Sequence, residues 1–133
     1  MTLTPFHLAI QVRDIDEARD FYGVKMGFPE GRSAEHWIDF DMFGHQLVTH
    51  LNSGIGKTGN IPNIVNPVDG EGVPVPHFGV VMNFEDWELL RTRVRLFVDD
   101  FIIEPTIRFQ GEPGTRHDVF PGPVRECPGV QGI

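Results

Sequence analysis

The sequence predicts an α+β fold in which a strand, a helix and further strands occur twice. Alternating apolar and polar residues mark a strand from Phe6 to Val12, and a similar run opens again at His77, about 70 residues later. A capped amphipathic helix is expected after each run. We predict one domain over 1–133, made of a first module at 1–52, a long loop at 53–75, a second module at 76–114 and an irregular tail at 115–133.

The first strand and helix follow from periodicity and capping. Alternation places His7 on the face of its strand opposite the bulky row of Phe6, Leu8, Ile10 and Val12. Asp14 is then predicted to cap a helix that ends at Gly27. Its core side is predicted to be the stripe of Ile15, Ala18, Phe21, Tyr22 and Met26.

Two more strands are predicted in the first half, at 37–43 and 46–51. Ile38, Phe40 and Met42 form the expected core side of the first of them. The chain from Asn52 to Pro76 is rich in Gly, Pro and Asn, and we expect a loop with Asp69 and Gly70 in a turn.

The second half should repeat the order of the first. A strand is expected from His77 to Met82 and a helix at 84–97, with a core stripe of Trp87, Leu90, Val94 and Phe97. Another strand is predicted at 101–109, broken near Pro105. Six glycines and prolines predict that Thr115 to Ile133 is irregular and that the last hairpin is lost, which leaves a sheet edge open for pairing with another chain.

Composition excludes several classes of function. The 133 residues include 11 Lys and Arg against 19 Asp and Glu, a net charge of −8, so a nucleic-acid partner is not expected. No apolar run approaches the roughly 20 residues that span a bilayer, and the N-terminus does not resemble a signal peptide, so we expect a cytoplasmic protein without membrane contact. The single cysteine, Cys127, gives no reason to expect thiol chemistry.

The candidate chemistry lies in two histidines at equivalent positions of the repeat, His7 and His77. Either one alone is more simply interpreted as a half-buried histidine satisfied by a neighbour. Their equivalence favours a pair of metal ligands, because two imidazoles and a carboxylate on one face are the ligand set of non-haem iron(II) oxygenases.

These residues resemble the vicinal oxygen chelate superfamily, which includes glyoxalase I, bleomycin-resistance proteins and extradiol ring-cleaving dioxygenases. The resemblance runs from about Pro5 to Gly114 and is closest to small predicted extradiol dioxygenases. Its most specific segments are 5–9, 17–22, 36–41, 43–46, 66–70, 75–80 and 107–114.

The resemblance implies paired β-α-β-β-β modules around a metal cup and metal ligands at His7 and His77. We also expect a homodimer, because the open sheet edge favours pairing with another chain. It implies a ring-cleaving dioxygenase that binds a catechol-like vicinal diol at a divalent metal, iron(II) before manganese or zinc. Two alternatives stay open: a metal-free binding protein of the bleomycin-resistance type, favoured by the acidic charge, and a glyoxalase-type isomerase.

The last segment departs from the family. The glutamate that serves as the third ligand is missing where the family places it, and the spacing of Glu126 gives no reason to substitute it. Codons permitted for Asp118 onward, read one base later, spell the family's closing segment. We therefore hypothesise a reading-frame slip near Gly114, which DNA sequencing across codons 110 to 133 tests. Loss of the carboxylate predicts weaker metal binding and impaired turnover.

Other residues are assigned supporting roles. His50 shares a strand face with Gln46 and is a candidate acid or base, although a polar strand end explains it equally well. Gln46 is expected to orient a water or the substrate. Arg108 is expected either to neutralise an anionic substrate or simply to offset the acidic surface. Asp39 and Asp41 are expected to be an exposed strand face that nothing places beside the histidines.

Overall fold

The computed structural model describes residues 2–60, 64–68, 70–99, 103–107 and 116–119. The chain divides into two compact units, Met1–Ile61 and Pro62–Ile133. Each unit is described by itself below. Within the described ranges, none of the helices combines the length and the apolar character that crossing a bilayer requires.

The first unit contains a four-stranded mixed sheet. Its strands are β1 (His7–Val12), β2 (Glu30–Ala34), β3 (Trp37–Met42) and β4 (His45–Leu51), in the spatial order β1-β4-β3-β2. β1 is parallel to β4, and the other pairs are antiparallel. Three of these strands were predicted, whereas β2 was not, because every one of its residues is exposed and no apolar alternation marks it.

The helix of the first unit begins as predicted. Asp14 is its N-cap and accepts a hydrogen bond from the Glu17 backbone N–H at 2.8 Å. The helix α1 (Ile15–Ala18) continues directly as a π-helical segment (Arg19–Lys25), and Gly27 follows with φ 74°. Positive φ suits glycine, which explains the predicted end of the helix.

The core of the first unit lies between this helix and one face of the sheet. Ile38, Phe40 and Met42 are at most 1% exposed, as expected from the pattern of β3. Ala18, Phe21, Tyr22 and Met26 supply the buried side of the helix, while Ile15 is half-buried. Thr49, also buried, donates its hydroxyl to the Ile38 carbonyl at 3.3 Å, so the polar group does not remain unsatisfied.

The prediction of a loop from Asn52 to Pro76 is wrong in its second half. β5 (Ile64–Val68) and β6 (Glu71–Val75) form an antiparallel hairpin, in which Gly70 has φ 81°. Pro67 and Pro74 misled the prediction. They occupy register positions two pairs apart, where alternate backbone N–H groups point away from the partner strand, so neither proline needs to break the ladder.

The strand predicted from His77 to Met82 is also absent: the structure assigns no strand to residues 77–83. An apolar run becomes a strand only where another strand supplies hydrogen bonds, and no described strand pairs with this segment. The helix that follows, α2 (Phe84–Val94), is confirmed, although it ends three residues before the predicted end at Phe97. Asn83 caps it by accepting from the Asp86 N–H at 2.9 Å, and Trp87 and Val94 are buried.

A final antiparallel pair corrects the prediction for the tail. β7 (Ile103–Ile107) pairs with β8 (Arg116–Val119), so the start of the tail is a strand rather than irregular chain. All six glycines and prolines that predicted irregularity follow Val119, which explains the error. The register shifts between Ile103 and Thr106, around Pro105, as a proline in a strand predicts. The rest of the tail, and with it the frame-slip hypothesis, lies outside the described residues.

Removing the N-cap should destabilise the first unit, with a dependence on pH. The Glu17 N–H bonded to the Asp14 carboxylate, with a further contribution from Lys57, lowers the pKa of Asp14 below its ordinary 3.8. We expect Asp14→Ala to cost about 1 kcal/mol in urea unfolding at neutral pH. Asp14→Asn should keep most of the cap without the charge.

The lowered pKa fixes the sign of the pH effect. The extra stability of the wild type over Asp14→Asn is complete above 3.8, the ordinary pKa of this carboxyl in the unfolded chain. It is lost as the pH falls through the lower pKa of Asp14 in the folded state. Asp16→Ala is the control, because the Asp16 side chain is 98% exposed. An Asn variant that loses stability in parallel with the wild type through this range would contradict the prediction.

Truncating the core should cost more. Phe40 is 1% exposed, so Phe40→Ala is expected to lower the free energy of unfolding by about 3 to 5 kcal/mol. Val24→Ala is the matched truncation on the surface, since Val24 is 66% exposed, and should change it by less than about 0.5 kcal/mol. Equal losses in the two variants would contradict the placement of Phe40 in the core.

Candidate functional site

The face of the sheet opposite the core of the first unit carries polar side chains from three strands. Strand register pairs His7 of β1 with Gln46 of β4, and Gln46 with Asp41 of β3. His50, four residues after Gln46, lies on the same face, since side chains on one strand face recur every second residue. The predicted placement of His7 on the polar face is therefore confirmed.

Side-chain hydrogen bonds connect Asp39, Gln46 and His7, with Gln46 in the middle. The Gln46 side-chain amide donates from Nε2 to Asp39 Oδ2 at 3.3 Å, and its Oε1 lies 2.7 Å from His7 Nδ1. A carbonyl oxygen only accepts, so the proton between Gln46 and His7 belongs to Nδ1. The Nε2 atom of a neutral His7 then carries a lone pair.

His77 shows the same arrangement within the second unit. Its Nδ1 lies 2.7 Å from the Pro74 carbonyl oxygen, and the side chain is half-buried. Because that oxygen is also only an acceptor, His77 holds its proton on Nδ1 and has its lone pair on Nε2. Histidines that bind a metal generally have this form: the N–H of one ring nitrogen donates to an oxygen and the other ring nitrogen binds the ion.

A pocket of about 420 Å³ opens beside His7 in the first unit. Its polar lining comes from His7, Arg32, Asp39, Asp41, His45 and Gln46. The Arg32 guanidinium lies over the Trp37 ring, 5.4 Å from its centroid. The pocket therefore combines two carboxylates, an arginine and two imidazoles with the apolar residues Pro5, Phe6 and Phe40 on the same lining.

His45 is a pocket residue that the sequence analysis did not single out. Its Nδ1 accepts a hydrogen bond from the Phe6 backbone N–H at 3.1 Å, and its ring lies against that of Phe6 with centroids 4.5 Å apart. A neutral His45 consequently carries its proton on Nε2, the opposite tautomer to His7. The parallel pairing of β1 with β4 creates this contact, so the only sequence signal was the position of His45 at the start of a strand.

The structure corrects the interpretation of the two aspartates. Asp39 was expected to have no connection with the histidines, but Gln46 joins it to His7. Asp41 lines the same pocket, and its Oδ1 accepts from the Gly44 N–H at 2.7 Å in the turn before β4. Gln46, predicted to orient a substrate or water, uses its amide to hold His7.

Other candidates are placed with less detail. His50 is exposed, and its register partners are Gln11 and Trp37. Arg108, Glu126 and Cys127 lie outside the described residues. In the part of the chain that the structure describes, no three side chains of His, Cys, Asp or Glu are grouped so that they would hold a metal.

Comparison with known proteins agrees with this architecture. No family model and no curated protein sequence matches the chain. Its structure is similar to a glyoxalase/bleomycin resistance protein/dioxygenase from Alicyclobacillus acidocaldarius, with a TM-score of 0.66 and 27% identity over 97% of this chain and 90% of that one.

Two further structures show the same fold at lower identity. The fosfomycin resistance protein FosX from Listeria monocytogenes has a TM-score of 0.67 and 16% identity, over 100% of this chain and 95% of that one. A lactoylglutathione lyase from Agrobacterium tumefaciens has a TM-score of 0.60 and 14% identity, over 99% and 94%. The predicted α+β class is confirmed, and the chain has the fold of the vicinal oxygen chelate superfamily, as the resemblance implied.

The hydrogen bonds predict the tautomers of three histidines in the metal-free protein. In long-range ¹H–¹⁵N spectra of the neutral imidazoles in histidine-labelled protein, His7 and His77 should be protonated on Nδ1. His45 should be protonated on Nε2 in the same spectrum. An Nε2–H form of either His7 or His77 would contradict the arrangement described above.

Proposed function

We propose that the protein is a metal-dependent oxygenase of the extradiol type, with His7 and His77 as ligands of one divalent metal ion. The observation that carries the proposal is the shared state of the two rings, each of which donates Nδ1–H to an oxygen and keeps the Nε2 lone pair. Their equivalent positions before two capped helices support it, as does the similarity to a protein described as glyoxalase/bleomycin resistance protein/dioxygenase.

The donor chemistry suits a first-row metal. Imidazole nitrogen binds iron(II), manganese and zinc, and iron(II) is the ion that suits ring cleavage by dioxygen. When bound, it supplies a template and a Lewis acid for two neighbouring oxygens of a catechol-like substrate. The chain's own residues hold the two imidazoles in the required tautomer and provide a pocket with carboxylate, guanidinium and imidazole groups beside one of them.

His50 is proposed as the residue that moves a proton. It lies on the same strand face as Gln46 and is exposed, so a substrate hydroxyl has access to its ring. Imidazole exchanges protons efficiently near neutral pH, which suits removal of a proton from a catechol oxygen. Arg108 is retained as the proposed partner of an anionic substrate group.

A third ligand is not found among the described residues. Two neutral imidazoles bind a hard divalent ion more weakly than two imidazoles with a carboxylate. We therefore expect weak metal binding and slow turnover in this chain, and a homodimer or a substrate oxygen is the proposed means of completing the coordination shell.

One observation favours a second candidate, a metal-free binding protein. Asp39 and Asp41 line the pocket beside His7, and the whole chain carries a net charge of −8, which together suit a cationic ligand. Such a protein has no need for a lone pair on His77. The two candidates therefore differ in what substitution of the histidines does.

Metal binding by histidine variants tests the main proposal. Equilibrium dialysis of the full chain against iron(II) without oxygen, and against manganese and zinc, should show one ion per chain. We expect His7→Ala and His77→Ala each to weaken binding more than about 100-fold, because even changes in residues behind a ligand cost 10 to 100-fold. His36→Ala is the control, since the side chain of His36 is 67% exposed and does not line the pocket.

Oxygen uptake then separates oxygenase from binder. Iron(II)-loaded wild type should consume oxygen with catechols, and His50→Ala should lower the rate more than it lowers metal affinity. No metal binding and no oxygen uptake would refute the oxygenase. Retention of a cationic planar ligand by His7→Ala would favour the binding protein.

A further inference from the structure

We propose that Asp39 and Gln46 are positioning residues that fix the tautomer of His7 through a directional relay of hydrogen bonds. The inference deepens the proposed function, on which its consequence for metal binding rests. The relay itself, however, is a property of the metal-free chain and is tested there.

The direction of the relay starts at Asp39. An ionised carboxylate has only acceptors, so it takes the Nε2 end of the Gln46 amide and not the oxygen end. The amide is planar, and holding its nitrogen toward Asp39 directs Oε1 toward His7 Nδ1, 2.7 Å away. Without Asp39, either end of the amide fits against His7, because imidazole nitrogen donates or accepts according to its tautomer.

Sheet geometry makes this possible. Gln46 is the register partner of His7, whereas Asp39 is the register partner of Val48, two residues further along β4. Diagonal neighbours of this kind are about 7 to 8 Å apart, a distance that the long glutamine side chain crosses and a shorter asparagine does not. The three residues lie on three adjacent strands, so the sheet holds all of them in place.

The second histidine provides a natural comparison. His77 donates to the Pro74 carbonyl, a backbone oxygen whose role as acceptor no side-chain substitution alters. His7 depends instead on a side chain with two different ends. The relay thus does for His7 what a backbone carbonyl does for His77. It keeps the proton on Nδ1 and leaves a lone pair on Nε2.

Ring nitrogen chemical shifts test the relay directly. For the neutral imidazoles of metal-free, histidine-labelled protein, Gln46→Leu should change His7 from the Nδ1–H form to the mixture of both tautomers that an imidazole without a partner shows. Asp39→Ala should produce the same kind of change, although Asp39 does not contact His7. Gln46→Glu should keep His7 protonated on Nδ1, because a carboxylate only accepts.

The controls separate the relay from charge and folding. Asp41→Asn removes the same charge from the same pocket and keeps an oxygen for Gly44, so His7 should not change. His77 should keep its signals in every variant. His45, protonated on Nε2 because it accepts from Phe6, reports in the same spectra that the first unit is folded.

The outcomes are distinct. An unchanged His7 in Asp39→Ala, or an equal change in Asp41→Asn, would overturn the relay, as would a wild-type His7 that is protonated on Nε2. If the spectra confirm the relay, Gln46→Leu should also weaken metal binding about 10 to 100-fold and Gln46→Glu should not. Correct tautomers in a chain that binds no metal would refute the proposed function and leave the relay standing.

Discussion

Alternation of side chains across β4 is the constraint on which both faces of the first unit depend. Leu47 and Thr49 point into the core and are fully buried, while Gln46 and His50 lie on the opposite face. A shift of the register by one residue would exchange these two sets. Burial of Leu47 and Thr49 therefore fixes the position of Gln46 between β1 and β3, and the contacts of His7 follow from it.

The parts of the fold that the sequence predicted are those controlled by short-range physics. Asp14 and Asn83 cap their helices because a short side-chain acceptor satisfies an N–H three residues later. The burial of Phe40 was predictable because apolar residues at every second position mark the core side of a strand, and this pattern needs no knowledge of the partner strand. β2 and the hairpin at 64–75 were missed because exposed residues, glycine and proline carry no such periodicity.

The error at 77–82 has a different origin. It depends on whether another strand is available for pairing, which local pattern does not encode. The error at 116–119 came from extending the glycine and proline signal of the residues after Val119 back over this strand. The same lack of information about strand pairing explains which contacts of the candidate site were not predicted. His7 and His77 were found from the repeat, but the contacts of Asp39 through Gln46, and of Phe6 with His45, arise only from strand register.

We propose that the Nε2 atoms of His7 and His77 bind one metal ion. The most direct measurement is a crystal structure of the chain grown with zinc, with the metal located by its anomalous scattering. A single peak about 2.0 to 2.1 Å from both Nε2 atoms is expected. Coordination through Nδ1, or rings too far apart for one ion to contact both, would contradict it.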